Sequence, residues 1–196
     1  MKNFFAIITL LFSSVCLAQT SYEDSLRTFI KSYVQNHEVV KGHDKDHMQF
    51  YPVDKGYRVT ADFKPAVNSN WLSFKTSGAK NKIFKLYGTL SFRLNNQPHR
   101  LNVYQSQELM LDESYKNYLF LPFTDSTSGD ETYISGRYLD LTTSDIKNNK
   151  VILDFNKTYN PYCAYVNGTY NCPIPPKENA LAVAIRAGEK AFSNSH

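Results

Sequence analysis

"FKLYGTLSFRL", residues 84–94, decides the fold. Its even positions are Phe84, Leu86, Gly88, Leu90, Phe92 and Leu94, and its odd positions are Lys85, Tyr87, Thr89, Ser91 and Arg93. A period of two sends alternate side chains to opposite sides of extended backbone, so this is a long strand with one oily and one wet face. Asn95, Asn96, Gln97 and Pro98 then turn the chain into "HRLNVYQ" (99–105), where Leu101 and Val103 again point inward. A hairpin follows.

The same period runs outward in both directions. In "YRVTADF" (57–63), Tyr57, Val59, Ala61 and Phe63 alternate with polar residues. "WLSF" (71–74), "TYISGRYLDL" (132–141) and "KVILDF" (150–155) read as further strands, and "NYLFLPF" (117–123), apolar on both faces, belongs in the sheet interior. "ENALAVAIRAGEKAF" (178–192) is two-sided: Leu181, Val183 and Ile185 alternate like a strand, while its alanines favour a helix. The alternation is given the greater weight. Near the other end, "TSYEDSLRTFIKSYVQNHEVV" (20–40) offers Thr20 and Glu23 as a capping box. Tyr22, Leu26, Phe29, Ile30, Tyr33 and Val34 follow on one helical face. The expected fold is mainly β. It is an antiparallel rolled sheet or partly open barrel over about 48–192, with one amphipathic helix at about 21–36 packed on it.

The first residues, "MKNFFAIITLLFSSVCLAQ", join Lys2 to an apolar run that ends in small side chains. This is the pattern of a secretory signal peptide cleaved after Ala18, and the run is too short to span a bilayer stably. Lipid attachment at Cys16, giving an outer-membrane lipoprotein, is the less favoured alternative because Val15 is bulky for the preceding position. Residues 19–196 are then a single exported domain, periplasmic or extracellular. Removing 1–18 lowers the formal charge from +4 to +3, and the basic residues are scattered, so nucleic acid gains no support as a partner. No other stretch has transmembrane length.

After cleavage Cys163 and Cys172 remain, within "YNPYCAYVNGTYNCPIPP" (159–176). In an exported chain a disulfide is the ordinary outcome, with free thiols or a metal as alternatives. Two thiolates make half of a closed zinc site, so no metal is expected there. "GHDKDH" (42–47) sets His43 and His47 beside two aspartates, but it lacks the order of a metalloenzyme motif and reads as a solvated loop.

The second half of the chain resembles a known family. The elements that carry the likeness are Gly136-Arg137-Tyr138-Leu139-Asp140, Asp154-Phe155-Asn156, Tyr159-Asn160-Pro161 and Cys163-Ala164-Tyr165. Cys172-Pro173, Pro175-Pro176, Glu178-Asn179 and Ala187-Gly188-Glu189 continue it. With looser agreement upstream, the chain resembles the domain-of-unknown-function family 1684 of uncharacterised bacterial and archaeal proteins. That resemblance implies a shared fold and brings no activity with it.

The residues themselves give the candidate chemistry. Glu131, Arg137, Asp140, Asp154, Asn156 and Asn160 form a polar set within strand-like sequence. An arginine among apolar neighbours needs a carboxylate or a ligand, because an unpaired buried guanidinium is costly. Glu131, Asp154 or Glu178 could pair with it. The ligand-binding reading gives Arg137, Glu131, Asp154, Asn156, Asn160 and Tyr162 to one surface, receiving a small molecule, glycan or envelope protein without catalysis. The alternative is a hydrolase built on Glu131 and Asp154, with Arg137 as electrostatic support. Neither a nucleophile elbow nor a phosphate-binding glycine loop occurs, so no cofactor is expected.

Overall fold

The computed structural model describes residues 21–193; the signal-peptide segment with Cys16, the capping residue Thr20 and His196 lie outside them. The chain divides between His37 and Glu38 into two units. In the first, a helix (α1) runs over 21–36. Leu26 and His37 are buried, and Tyr22, Ile30, Tyr33 and Val34 are half-buried, giving the covered line of an amphipathic helix. Phe29, expected on that line, is 40% exposed.

The second unit is an antiparallel half-barrel of seven strands: β1 (Arg58–Pro65), β2 (Trp71–Phe74), β3 (Lys82–Leu94), β4 (Gln97–Ser106), β5 (Tyr118–Phe123), β6 (Arg137–Thr142) and β7 (Lys150–Asp154). Their order is β6-β5-β4-β3-β1-β7, with β2 also paired to β3. Asn95 and Asn96 take φ values of 51° and 62° and close the β3–β4 hairpin, with Leu94 opposite Gln97. A two-residue turn with both φ positive matches the twist of the strands it joins, and asparagine tolerates that conformation. Gln97 and Pro98 are therefore already in β4.

One inserted residue organises the packing. Leu86 pairs with Tyr104 but Gly88 pairs with Val103, leaving Tyr87 as a bulge. The even residues of β3 consequently change face at Tyr87. Leu90, Phe92 and Leu94 join the main core with Leu101, Val103 and Leu121. Phe84 instead joins Phe74, Tyr104, Phe120 and Tyr138 in a second aromatic cluster on the other side of the sheet. β5 feeds both: Leu119, Leu121 and Phe123 face the core, and Phe120 faces the cluster. This explains a strand apolar on both faces.

Two places in the sheet are loosely laddered. β4 and β5 are registered at Tyr104 and Phe120 alone. Asn179, fully buried, bridges them: its amide donates to the carbonyls of Asn102 (2.8 Å) and Pro122 (2.6 Å), and its side-chain oxygen accepts from Asn102 N–H (2.8 Å). β1 changes partners along its length, pairing with β7 through Arg58–Asp62 and with β3 through Asp62–Pro65.

Two expected strands need correction. "TYISGRYLDL" is extended only from Arg137; residues 132–136 form a turn in which Gly136 has φ +86°. A Cβ there would lie 2.3 Å from the Phe123 carbonyl oxygen, so glycine is required. Residues 180–192 are neither helix nor ladder strand. They form an irregular strap that makes isolated bridges at Ala180 and Glu189 and buries Leu181, Ile185 and Ala187. The alternation in the sequence reports inward-facing side chains correctly, but the backbone of the strap is met by a side chain rather than a strand.

Candidate functional site

That side chain is Arg137, which is 1% exposed. Its Nη2 donates to Asp125 (2.8 Å) and to the Ile185 carbonyl (2.7 Å), and its Nη1 donates to the carbonyls of Ala187 (2.5 Å) and Glu189 (3.1 Å). The guanidinium also lies 5.5 Å from the Phe123 ring centre. Its carboxylate partner is Asp125, not Glu131, Asp154 or Glu178, and both ends of the pair are sealed from solvent. Arg137 holds the strap to the half-barrel.

The other sequence candidates are dispersed. Asn156 (2% exposed) accepts from Asp54 N–H (2.9 Å), and its amide donates to the Asp54 carbonyl (2.8 Å) and to Asp154 (3.0 Å). Asn160 is fully buried; its N–H donates to Glu189 (2.9 Å) and its amide to the Lys190 carbonyl (2.7 Å). Glu131 binds Arg186 through both carboxylate oxygens (2.9 and 3.1 Å) and accepts from the Tyr51 hydroxyl (3.1 Å). The bonds from Arg186 come first among the influences that hold its carboxyl below the usual range, and burial pushes the Tyr51 hydroxyl up to about 12. Tyr162 donates to Glu38 (3.1 Å).

Cys163 and Cys172 form a disulfide, with Cα atoms 6.2 Å apart. The loop it closes is tied to the chain after β2: Ser77 N–H donates to the Cys172 carbonyl (3.0 Å), and Ile174 N–H donates to the Lys75 carbonyl (2.9 Å). Tyr159, at the start of this segment, exchanges backbone bonds of 2.9 and 3.1 Å with Tyr138 and covers part of the free edge of β6. His43 and His47 lie on an exposed 3₁₀ turn, Gly42–His47. Among the described residues no group of three or more histidine, cysteine or carboxylate side chains is placed to hold a metal.

What the structure does bring together is the seam between the two end strands, β6 and β7. A cleft of about 390 Å³ opens there, bordered by Asp140, Asp145, Asp154, Arg58, Lys147 and Lys157. Asp154 is 4.0 Å from Arg58 and accepts from Asn156 N–H at 3.2 Å, so it is fixed in place. Asp140 is the unusual member. It accepts the hydroxyls of Tyr118 and Tyr159, each at 2.7 Å. Its residue is open to solvent, yet protein crowds around the carboxyl, and that desolvation raises its pKa despite the two tyrosine bonds, which pull the other way. Burial likewise lifts both tyrosine hydroxyls well above their ordinary value, with the Asp140 charge adding to it.

Tyrosines continue away from this carboxylate. Tyr115 packs edge-on against Tyr118 (6.5 Å between ring centres), Tyr138 against Tyr159 (5.9 Å), and Tyr162 against Tyr170 (5.1 Å). Asp140 was legible as part of the polar set, but its tyrosine partners come from β5 and from the disulfide segment, 22 and 19 residues away. Arg58, Lys147 and Lys157 carried no local signal.

These features make the chain a small mainly β half-barrel domain with an acid- and base-lined seam. The chain belongs to the family described as protein of unknown function (DUF1684), whose model matches residues 44–190. Among solved structures it is similar to the solution structure of the uncharacterised protein from gene locus rrnAC0354 of Haloarcula marismortui. The two share 28% identity at a TM-score of 0.66, over 88% of this chain and 96% of that one. No curated protein matches the chain.

Proposed function

We propose that this is an exported cell-envelope protein whose single domain binds a small, hydroxyl-rich ligand, a glycan foremost, in the cleft between β6 and β7, without catalysis. Export is argued from the lysine, apolar run and small residues of the first 18 positions. The disulfide is compatible with an oxidising compartment, and among the described residues no helix is long and apolar enough to cross a membrane. The observation that carries the binding reading is Asp140: a solvent-reachable carboxyl, oriented by two tyrosine hydroxyls at the border of a cleft. Such a group accepts ligand hydroxyls in a fixed direction, while Arg58, Lys147 and Lys157 offer donors nearby.

A hydrolase based on Glu131 and Asp154 has less support. Acid–base pairs need one carboxyl with a raised pKa, whereas Glu131 is paired with Arg186 and held low. Arg137, its supposed support, is enclosed by Asp125 and the strap. The test is an NMR titration of the exported protein with a panel of mono- and oligosaccharides, with product analysis of each mixture. Saturable shifts at Asp140, Ser144 and Lys157, lost in Asp140→Ala, are expected. Shifts elsewhere, or none across the panel, would reject the site, and turnover of any sugar would favour the enzyme.

A further inference from the structure

A second opening lies in the sheet itself, and its cause is the change of partners in β1. Registered pairing with β3 stops at Asp62 and Ser91, and from there back to Arg58 the strand follows β7. The far end of β3 continues with β4 alone, Phe92 opposite His99 and Arg93 opposite Pro98. The two strands therefore splay, and the gap forms a groove of about 720 Å³, within the range of small-molecule sites. Val59 and Phe92, which belong to the core side of the sheet, reach this groove together with Pro98. At the groove Val59 is half-buried and Pro98 exposed, while Phe92, which also lines it, is 4% exposed.

The charged lining is mostly basic. Arg93 and Arg100 border the groove beside His99, and the acid there, Asp62, is already neutralised by Lys150 at 2.6 Å. Arg93 donates to the carbonyl of Asn96 in the hairpin turn but keeps its charge. The side chain of Arg100 has no partner among the described residues. The ring of His99 lies 5.6 Å from that of Phe92, and its Nε2 is buried without a hydrogen-bond partner. Unneutralised cationic donors beside an apolar recess suit a molecule with an anionic head and an apolar tail, because each end then finds its own environment.

We propose that the gap between β1 and β3 is a binding site for a single-chain anionic amphiphile, its tail against Val59 and Phe92 and its head group on Arg100 and Arg93. This site is separate from the β6–β7 cleft and does not depend on the reading given to it. Arg100, being exposed and unpartnered, can be changed without touching the core.

The test is a titration of the ¹⁵N-labelled protein with dodecanoate below its micelle concentration, with dodecanol and inorganic phosphate as single-feature controls. Dodecanoate is expected to shift Thr60, Phe92, His99 and Arg100 saturably, while each control binds at least about tenfold more weakly because it offers one end only. Arg100→Glu should weaken dodecanoate by about tenfold or more, and Thr60→Trp, which fills the mouth, should do the same without altering charge. Equal binding of dodecanol, insensitivity to both variants, or shifts confined to the β6–β7 cleft would overturn the proposal, as would absence of binding. If anionic vesicles alone produce the shifts, the proposal also fails, because a membrane surface and not a free amphiphile would then be the partner.

Discussion

Replacing Arg137 with methionine removes the guanidinium and keeps most of the side-chain volume. Four hydrogen bonds vanish: one to Asp125 and three to the carbonyls of Ile185, Ala187 and Glu189. Breaking a buried ion pair by removing one partner costs about 3–5 kcal/mol, since the other charge stays buried. Each orphaned carbonyl would add about 1–3 kcal/mol if water could not reach it. The strap can loosen and admit water, so these contributions do not sum, and a loss of about 4–6 kcal/mol is expected. Domains of this size have about 5–15 kcal/mol in total, so the variant should be close to unfolding. Equilibrium urea unfolding followed by circular dichroism, with the disulfide intact, measures it. The double variant Arg137→Met/Asp125→Leu should be more stable than the two single losses combined imply, by about 2 kcal/mol or more. A single-variant loss below about 1 kcal/mol would refute the view that this pair fastens the strap.

Asn179→Asp keeps the shape but replaces two donated bonds with a carboxylate facing the carbonyls of Asn102 and Pro122. A loss of about 2–4 kcal/mol in the same unfolding assay is expected, with hydrogen exchange accelerated in β4 and β5 ahead of β1. For Asp140 the direction is set by its raised pKa: the fold favours the protonated carboxyl. Its contribution to stability is therefore fully present below the unfolded aspartate pKa and is lost as pH rises through the folded one. Asp140→Asn should remove that part of the pH dependence and be no less stable than the parent at neutral pH. Stability profiles of the two proteins against pH check this, and a parent that gains stability over the same window would contradict it.

The strands were legible because alternation is local: Phe92 and Leu94 announce their face without knowing what they touch. What escaped was set by contacts distant in the chain. The partner of Arg137 is an aspartate in a loop 12 residues upstream, with nothing nearby to single it out from Glu131. The strap reads as a strand because Leu181, Ile185 and Ala187 do turn inward, and sequence alone gives no hint that an arginine fork replaces a neighbouring strand. Tyr133 and Ser135 continue the alternation of β6 by composition, but Gly136 breaks it through its backbone. Of the candidate cleft, only Asp140 and Asp154 were legible in the sequence. Asn156, Asn160 and Arg137 drew notice as polar residues in apolar surroundings, and each is polar there to satisfy buried backbone or charge. The splay of β1 from β3 had no sequence signature, since it depends on which of two partners each half of the strand prefers.

The Tyr87 bulge has a consequence for how the family can vary. It acts as a frame shift within one strand: downstream residues keep one parity and upstream residues the other, so the two halves of β3 cannot be aligned to a bulge-free relative without a gap. A relative that kept every residue but ran a continuous ladder would shift the counterparts of Phe84 and Leu86 by one position, to the opposite side of the sheet, and would have to give up the packing of Phe84 on Phe74 and Phe120 in the same step. Homologues that retain those rings should therefore either keep the bulge or delete that one position, and no other single deletion in the strand should be tolerated upstream of it.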